Sequence, residues 1–307
     1  MTPVESSLPS HVTLVEVGPR DGFQVERTFI PTDLKLEIIR GLVAAGLRHV
    51  QIASFVHPTR VPQMADAEAI CQALLRDQPT DVTYSGLVLN TRGVERALAT
   101  GLRVLDVSIA PDEGQSASNA GMSVADARVQ AREMIARAKT AGCTVHAGLQ
   151  VVFGYREPGD VPLERVIEMA RELADHGADT VSLADSTGMG DPRTVEHTVA
   201  AVRDAIGTVP LVLHLHDTRG MGLANVVAGL RQGVARFDTS LGGMGGCPFI
   251  AGATGNIPTD DTAHMLARMG IHTGIDVAAV GALARQLEAF LGKRFDGKLH
   301  ALPGTAA

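Results

Sequence analysis

Two histidines at the end of an aliphatic run are the residues in this chain best suited to chemistry. The run at residues 211–216 carries His214 and His216 two positions apart. Side chains alternate along a strand, so both imidazoles lie on one face. Asp21 follows a similar run at 12–17. If both runs are parallel strands of one barrel, their carboxyl ends meet at one mouth, where these three side chains could hold a divalent metal. A metal-dependent enzyme is therefore the leading hypothesis.

The elements that would position these residues alternate between short β-rich runs and longer amphipathic stretches. The predicted strands are 12–17, 49–53, 82–87, 104–109, 145–152, 180–183, 211–216 and 237–241. The predicted helices include 65–76, 93–99, 124–141, 192–205, 223–232 and 260–269, together with one that Thr32 caps and Gly46 ends and one through Val166, Met169 and Leu173.

Eight such units predict a (β/α)8 TIM barrel. An open doubly wound sheet is the alternative, and the sequence has neither G-x-G-x-x-G nor a Walker A pattern to support it. We expect one domain over residues 1–307, with the barrel at about 12–272 and a helical extension at about 273–300. The helix at 275–291 would cap the barrel or join a subunit contact.

Composition excludes several classes of partner. The chain has 307 residues, 45% of them hydrophobic, and a formal net charge of −7. That charge argues against nucleic acid or an anionic membrane as partner, and 3% aromatic residues without Trp argues against base stacking. The sequence has no apolar stretch long enough to span a bilayer, and residues 1–11 are not expected to act as a signal peptide, because they lack a basic start and an apolar run. Three cysteines fit a reducing, cytoplasmic compartment.

Further candidates lie beside the predicted strand ends. The guanidinium of Arg20 suits a carboxylate or a developing enolate oxygen, or it forms a salt bridge with a neighbouring acid. Asp21 ligates the metal or caps the Arg-Asp-Gly turn. Asp185 belongs to the site or fixes the turn ahead of Asp191. The glycine-rich segment 242–256 is a phosphate cradle or a mobile lid.

Two residues of that glycine-rich segment carry functional groups of their own. Cys247 offers a thiol that could act as an acid, a base or a nucleophile. Asn256 ends the segment and offers a carbonyl oxygen to a metal. The other cysteines, Cys71 and Cys143, look like packing residues.

Several motifs resemble the 3-hydroxy-3-methylglutaryl-CoA lyase family of metal-dependent TIM-barrel lyases. They lie at residues 17–24, 53–56, 61–64, 214–218 and 245–256. The Gly-Gly-Cys-Pro loop ending in Gly-Asn is the most specific of them, because Arg-Asp and His-x-His alone also match the wider superfamily of isopropylmalate and homocitrate synthases. The resemblance runs from about residue 12 to residue 290.

The resemblance implies a set of roles. The implied metal ligands are Asp21, His214, His216 and Asn256, and the implied metal is Mg²⁺ or Mn²⁺. The implied catalytic residues are Arg20, which stabilises the enolate, Cys247, Asp185, which is associated with proton transfer, and His214. The implied substrate-binding residues are Arg20, Gln24, Gln51, Ser54 and Asn119.

The implied reaction is a retro-Claisen cleavage of an acyl-CoA to acetyl-CoA and a 3-oxo acid, as in leucine catabolism. The resemblance also implies a homo-oligomer, a dimer or a higher assembly.

Three departures from the family pattern concern the acyl group. Gln51 stands where the family has Glu, which removes one negative charge beside the metal. The segment 112–119 lacks the usual Lys or Arg, and Asp260 stands where Glu is expected. The alternatives are therefore a paralogous lyase for a different 3-hydroxyacyl-CoA, an aldolase or synthase acting on 2-oxo acids, and a catalytically silent paralogue that still binds metal.

Overall fold

Eight parallel strands close into a barrel in chain order, and β8 pairs back onto β1. The computed structural model describes residues 8–246 and 254–302. The strands are β1 (Thr13–Glu16), β2 (His49–Ser54), β3 (Thr83–Val88), β4 (Val104–Ile109), β5 (Thr144–Leu149), β6 (Thr180–Asp185), β7 (Leu211–Leu215) and β8 (Arg236–Thr239). The predicted TIM barrel is confirmed.

Helices surround this barrel. The α-helices in the described ranges are α1 (Thr32–Ala44), α2 (Ala67–Arg76), α3 (Thr91–Ala99), α4 (Glu113–Ala120), α5 (Val124–Thr140), α6 (Leu163–Asp175), α7 (Pro192–Ile206), α8 (Gly222–Arg231), α9 (Thr259–Arg268) and α10 (Val277–Leu291). The last of these is the helix expected beyond the eight units, and it packs against α1 and α9. None of the helices in the described part of the chain is both long and apolar enough to cross a membrane.

The strands bury apolar side chains outward, against the helices, and turn polar side chains inward. On β5, Val145, Ala147 and Leu149 are fully buried, whereas His146 between them is partly exposed. On β4, Asp106 alternates in the same way with buried neighbours. Period-two alternation therefore puts the hydrophobic core between sheet and helices and leaves a polar barrel interior.

Several sequence-based boundaries need correction. Thr32 does not cap α1: it is the first helical residue, and its hydroxyl donates to Asp66 Oδ2 at 2.8 Å. Strand β5 ends at Leu149 and not at residue 152, since Val151 has a φ of 48° that no strand accommodates. Helix α4 was not predicted, because its small polar residues have no apolar period; Asp112 caps it through Gln115 N.

Candidate metal centre

Three buried side chains converge at the carboxyl end of the barrel. One ligand atom each from Asp21, His214 and His216 lies within 4.8 Å of the others, and no other group of this kind occurs in the described ranges. His214 lies near the end of β7 and His216 directly follows that strand, whereas Asp21 lies in a single π-helical turn (Gly18–Gly22) that follows β1. The structure thus brings together the predicted triad from two distant parts of the sequence.

The protonation states of the triad suit a cation. Burial raises the pKa of Asp21, but the charge of Arg20 and the two nearby imidazoles outweigh it and lower that pKa to about 2. Burial lowers the pKa of His216 to about 4, and His214 adds to this effect. Near neutral pH the carboxylate is therefore charged and the His216 ring is neutral, which are the forms that bind metals.

The imidazoles face each other through nitrogen atoms. His214 Nε2 lies 3.3 Å from His216 Nε2. On the opposite edge, His214 Nδ1 lies 3.1 Å from Asp238 Oδ2. A carboxylate in that position holds the proton on Nδ1 and leaves Nε2 free as a ligand. Asp238 is a functional residue that we did not predict from the sequence, although the alternation of β8 places its side chain inside the barrel.

Asn256 supports the metal assignment through an orphaned atom. Its Nδ2 donates to Asp21 Oδ2 at 2.7 Å and to Met244 O at 3.3 Å. Its Oδ1 is buried and has no hydrogen-bond partner among the described residues. A buried amide oxygen without a donor is costly, and a hard cation would satisfy it. The donor set therefore fits a divalent metal.

Close backbone contacts hold Asn256 beside the triad. Asp217 N donates to Gly255 O at 3.1 Å, and Ile257 N donates to Leu215 O at 2.9 Å. A Cβ on Gly255 would lie 2.3 Å from Gly243 O, so only glycine fits this crossing. Cys247, the catalytic thiol that the resemblance implies, lies outside the described residues, as do residues 248–253 of the glycine-rich segment.

Arg20 and Gln24 both contact Asp21 of the triad. Arg20 Nη1 forms an ion pair with Asp21 Oδ1, and Gln24 Nε2 donates to the same oxygen at 3.1 Å. Arg20 Nε donates to Gln51 Oε1, so the guanidinium is held from two sides. The structure brings Arg20, Gln24 and Gln51 to the predicted site.

Ser54 and Asn119 occupy other places. Ser54 is fully buried at the end of β2, and its hydroxyl has no hydrogen-bond partner in the described ranges. Asn119 lies on α4, where its Nδ2 donates to Gln150 Oε1 at 3.1 Å. Gln150 in turn donates to Ser108 Oγ at 2.8 Å. Their substrate-binding roles stay predictions.

Asp185 holds the turn after β6. Its carboxylate accepts from Met189 N at 2.8 Å and from Gly190 N at 3.0 Å. Burial raises its pKa to about 6 despite these bonds. These contacts support the interpretation that Asp185 fixes the turn. Its association with proton transfer stays a prediction.

Asp260 stands at the position where we expected Glu, and it forms hydrogen bonds with the C-terminal segment. It is fully buried, and its Oδ2 accepts from His300 N at 3.0 Å and faces His300 Nδ1 at 3.1 Å. Burial of this pair joins α9 to residues after α10. Asp260 therefore has a structural partner in His300.

Comparison with known proteins places the chain in a family. The HMGL-like family model matches residues 11–287. The chain belongs to the HMGL-like family. A 3-hydroxy-3-isohexenylglutaryl-CoA/hydroxy-methylglutaryl-CoA lyase from Pseudomonas aeruginosa is 38% identical over 94% of this chain and 95% of that protein.

Two further relatives have a similar extent. An (R)-citramalyl-CoA lyase from Chloroflexus aurantiacus is 37% identical over 96% of this chain and 94% of that protein. An HMG-CoA lyase from Acinetobacter baumannii, solved with coenzyme A and 3-methylmalate, is 33% identical, with a TM-score of 0.91 over 100% of this chain and 99% of that one. All three relatives are named as CoA lyases, which confirms the resemblance found in the sequence.

Proposed function

We propose that this protein is a metal-dependent acyl-CoA lyase that cleaves 3-hydroxy-3-methylglutaryl-CoA, or a close 3-hydroxyacyl-CoA, to acetyl-CoA and a 3-oxo acid. The observation that carries the proposal is the buried triad of Asp21, His214 and His216 beside the guanidinium of Arg20. Membership in the HMGL-like family supports the same reaction.

The proposed metal is Mg²⁺ or Mn²⁺, held by Asp21, His214, His216 and Asn256. One carboxylate oxygen, one amide oxygen and two imidazole nitrogens form a mixed donor set that is compatible with either Mg²⁺ or Mn²⁺. When bound, such a cation polarises the oxygens of the substrate that carry the developing charge.

The chain's own residues would bind and orient the substrate and would transfer its protons. Arg20 is fixed by Gln51 on one edge and by Asp21 on another, so its remaining donors are aimed without further ordering when an enolate oxygen gains charge. The hydroxyl proton leaves to a base, the bond between C2 and C3 breaks, and its electron pair forms the enolate of acetyl-CoA. Cys247 would return a proton to C2, with Asp185 associated with proton transfer.

A second candidate is a lyase for a different acyl group. Gln51 removes the charge that the family pattern has beside the site, and the C. aurantiacus relative is named as a citramalyl-CoA lyase. We also propose a single domain, a homo-oligomeric assembly, a cytoplasmic location and, for the methylglutaryl substrate, a step of leucine catabolism.

Product analysis tests this proposal. Purified protein with Mg²⁺ or Mn²⁺ would receive 3-hydroxy-3-methylglutaryl-CoA, citramalyl-CoA and longer 3-substituted analogues, and mass spectrometry would identify the products. We expect acetyl-CoA and acetoacetate from the methylglutaryl ester. Release of acetyl-CoA from only one of the other esters would support the same reaction on a different substrate. Cleavage of free 2-oxo acid adducts alone would favour an aldolase, and metal and CoA binding without turnover would favour a silent paralogue.

A further inference from the structure

A cavity lies at the amino end of the barrel, where α1 and α2 pack over β3. Its volume is about 170 Å³, and it is lined by Arg40 and Val43 on α1, by Leu74 on α2 and Asp77 directly after that helix, and by Tyr84, the second residue of β3. The metal triad lies at the carboxyl end of the barrel. The cavity is therefore separate from the candidate metal centre, and none of its residues takes part in the proposed reaction.

This cavity has a buried floor and a charged rim. Tyr84 and Leu74 are only 4% and 3% exposed and form the floor. Arg40, Asp77 and Pro79 are exposed and form the rim. Pockets for drug-sized ligands usually have volumes of about 300–1,000 Å³. The smaller volume here limits an occupant to a small metabolite whose charged groups lie at the rim.

Three polar groups of the cavity are unpaired. Within the described ranges, neither the guanidinium of Arg40, nor the carboxylate of Asp77, nor the hydroxyl of Tyr84 forms a hydrogen bond or an ion pair. Burial raises the pKa of Tyr84, and the nearby charge of Arg40 opposes this rise. The phenol is therefore a neutral donor close to a cation. A buried hydroxyl without a partner is costly, and a ligand in the cavity would satisfy it.

The signs of the two rim charges restrict the ligand. A carboxylate would accept from the guanidinium of Arg40 and from the hydroxyl of Tyr84. A plain acid would also face the negative charge of Asp77, and a plain amine would face the positive charge of Arg40. A ligand that carries one charge of each sign and an apolar body matches the whole lining. This description fits a zwitterionic α-amino acid with a small apolar side chain.

We propose that this cavity binds a free α-amino acid with an apolar side chain. Arg40 and Tyr84 hold its carboxylate, and Asp77 accepts from its ammonium group. Val43 and Leu74 contact its side chain. The site goes beyond the proposed lyase activity and does not depend on it.

Calorimetric titration of the full chain tests this site. The probes are L-valine, isovalerate, which lacks the ammonium group, and isobutylamine, which lacks the carboxylate. We expect one L-valine per chain with a Kd of about 0.01–1 mM, and at least about tenfold weaker binding of the two singly charged probes. Added Mn²⁺ should leave the Kd within about twofold, because the metal centre lies at the other end of the barrel.

Single substitutions assign the contacts. Arg40→Gln and Asp77→Asn should each weaken L-valine binding at least about tenfold, and Tyr84→Phe at least about threefold. Asp77→Asn should not weaken isovalerate binding, since Asp77 contacts only the ammonium group. Arg76→Gln on α2 and Asp33→Asn on α1 are matched exposed controls, and each should keep the Kd for L-valine within about twofold of wild type.

Four results would overturn the site. They are no binding of L-valine at about 10 mM, binding of either singly charged probe as tight as that of L-valine, wild-type affinity for L-valine in both the Arg40→Gln and Asp77→Asn variants, and binding that requires Mn²⁺. The last result would place the amino acid at the metal centre. A protein that binds L-valine as expected but has no lyase turnover would defeat the proposed function alone.

Discussion

Glu16 is a buried acid whose ionisation should control the stability of the site's framework. It is fully buried on β1. Its carboxylate accepts from Gly18 N at 2.8 Å, from Leu241 N at 2.9 Å and from Thr259 Oγ1 at 2.7 Å. These contacts tie the turn that carries Asp21 to the segment after β8 and to α9. Burial is the main reason that its pKa rises from 4.5 to about 7.

The raised pKa fixes the sign and size of the effect. Below about pH 4.5 Glu16 is protonated in both states, so its contribution to stability is fully present. As the pH rises to about 7, the unfolded chain releases this proton and the folded chain keeps it, so stability is lost. At about 1.4 kcal/mol per pKa unit, the loss amounts to about 3 kcal/mol.

Glu16→Gln should remove this loss. A glutamine keeps the shape and hydrogen-bonding pattern of the protonated acid, since its oxygen accepts from the two N–H groups and its amide donates towards Thr259 Oγ1. Urea unfolding of metal-free protein between pH 4 and 8 would measure the free energy of unfolding. We expect the variant to gain about 3 kcal/mol over wild type across this range.

The exposed Glu133→Gln exchange on α5 serves as the control, and its curve should run parallel to that of wild type. Parallel curves for wild type and Glu16→Gln would refute the reasoning, because they would show that Glu16 titrates alike in the folded and unfolded states.

Three further predictions concern the site. Asp21→Asn and His216→Ala should each weaken Mn²⁺ binding at least about 100-fold in calorimetric titrations, because each alters a buried ligand; unchanged affinity would defeat the metal assignment. Cys247→Ala should lower kcat by about 10²–10⁴-fold with Mn²⁺ affinity intact, and a wild-type kcat would make the thiol structural. Asp185→Asn should lower kcat at least about 100-fold if Asp185 takes part in proton transfer, whereas a loss of thermal stability alone would limit it to the turn at Met189.

The sequence predicted the strands well because a parallel barrel demands buried β-branched runs of regular length. It also predicted the triad, since period-two alternation places His214 and His216 on one face and the fold brings strand ends together. Those two rules relate residues along a strand, or strand ends in a known topology. Predicting that Asp21 lies beside the two histidines required both rules.

Contacts between inward-facing side chains were harder to predict. Asp238 orients His214 only because β7 and β8 are neighbours in register, His214 opposite Asp238. Helix α4 has no apolar period, so a cap at Asp112 was the one local signal that could have revealed it.

Metal removal and stoichiometric return would test the central claim most directly. The protein would be stripped with a chelator, and acetyl-CoA release from 3-hydroxy-3-methylglutaryl-CoA would be followed as Mn²⁺ or Mg²⁺ is added back. We predict that activity is lost on stripping, returns in proportion to occupancy and saturates at one ion per chain, and that the Asp21→Asn variant does not recover. Full acetyl-CoA release from the stripped protein would contradict the account.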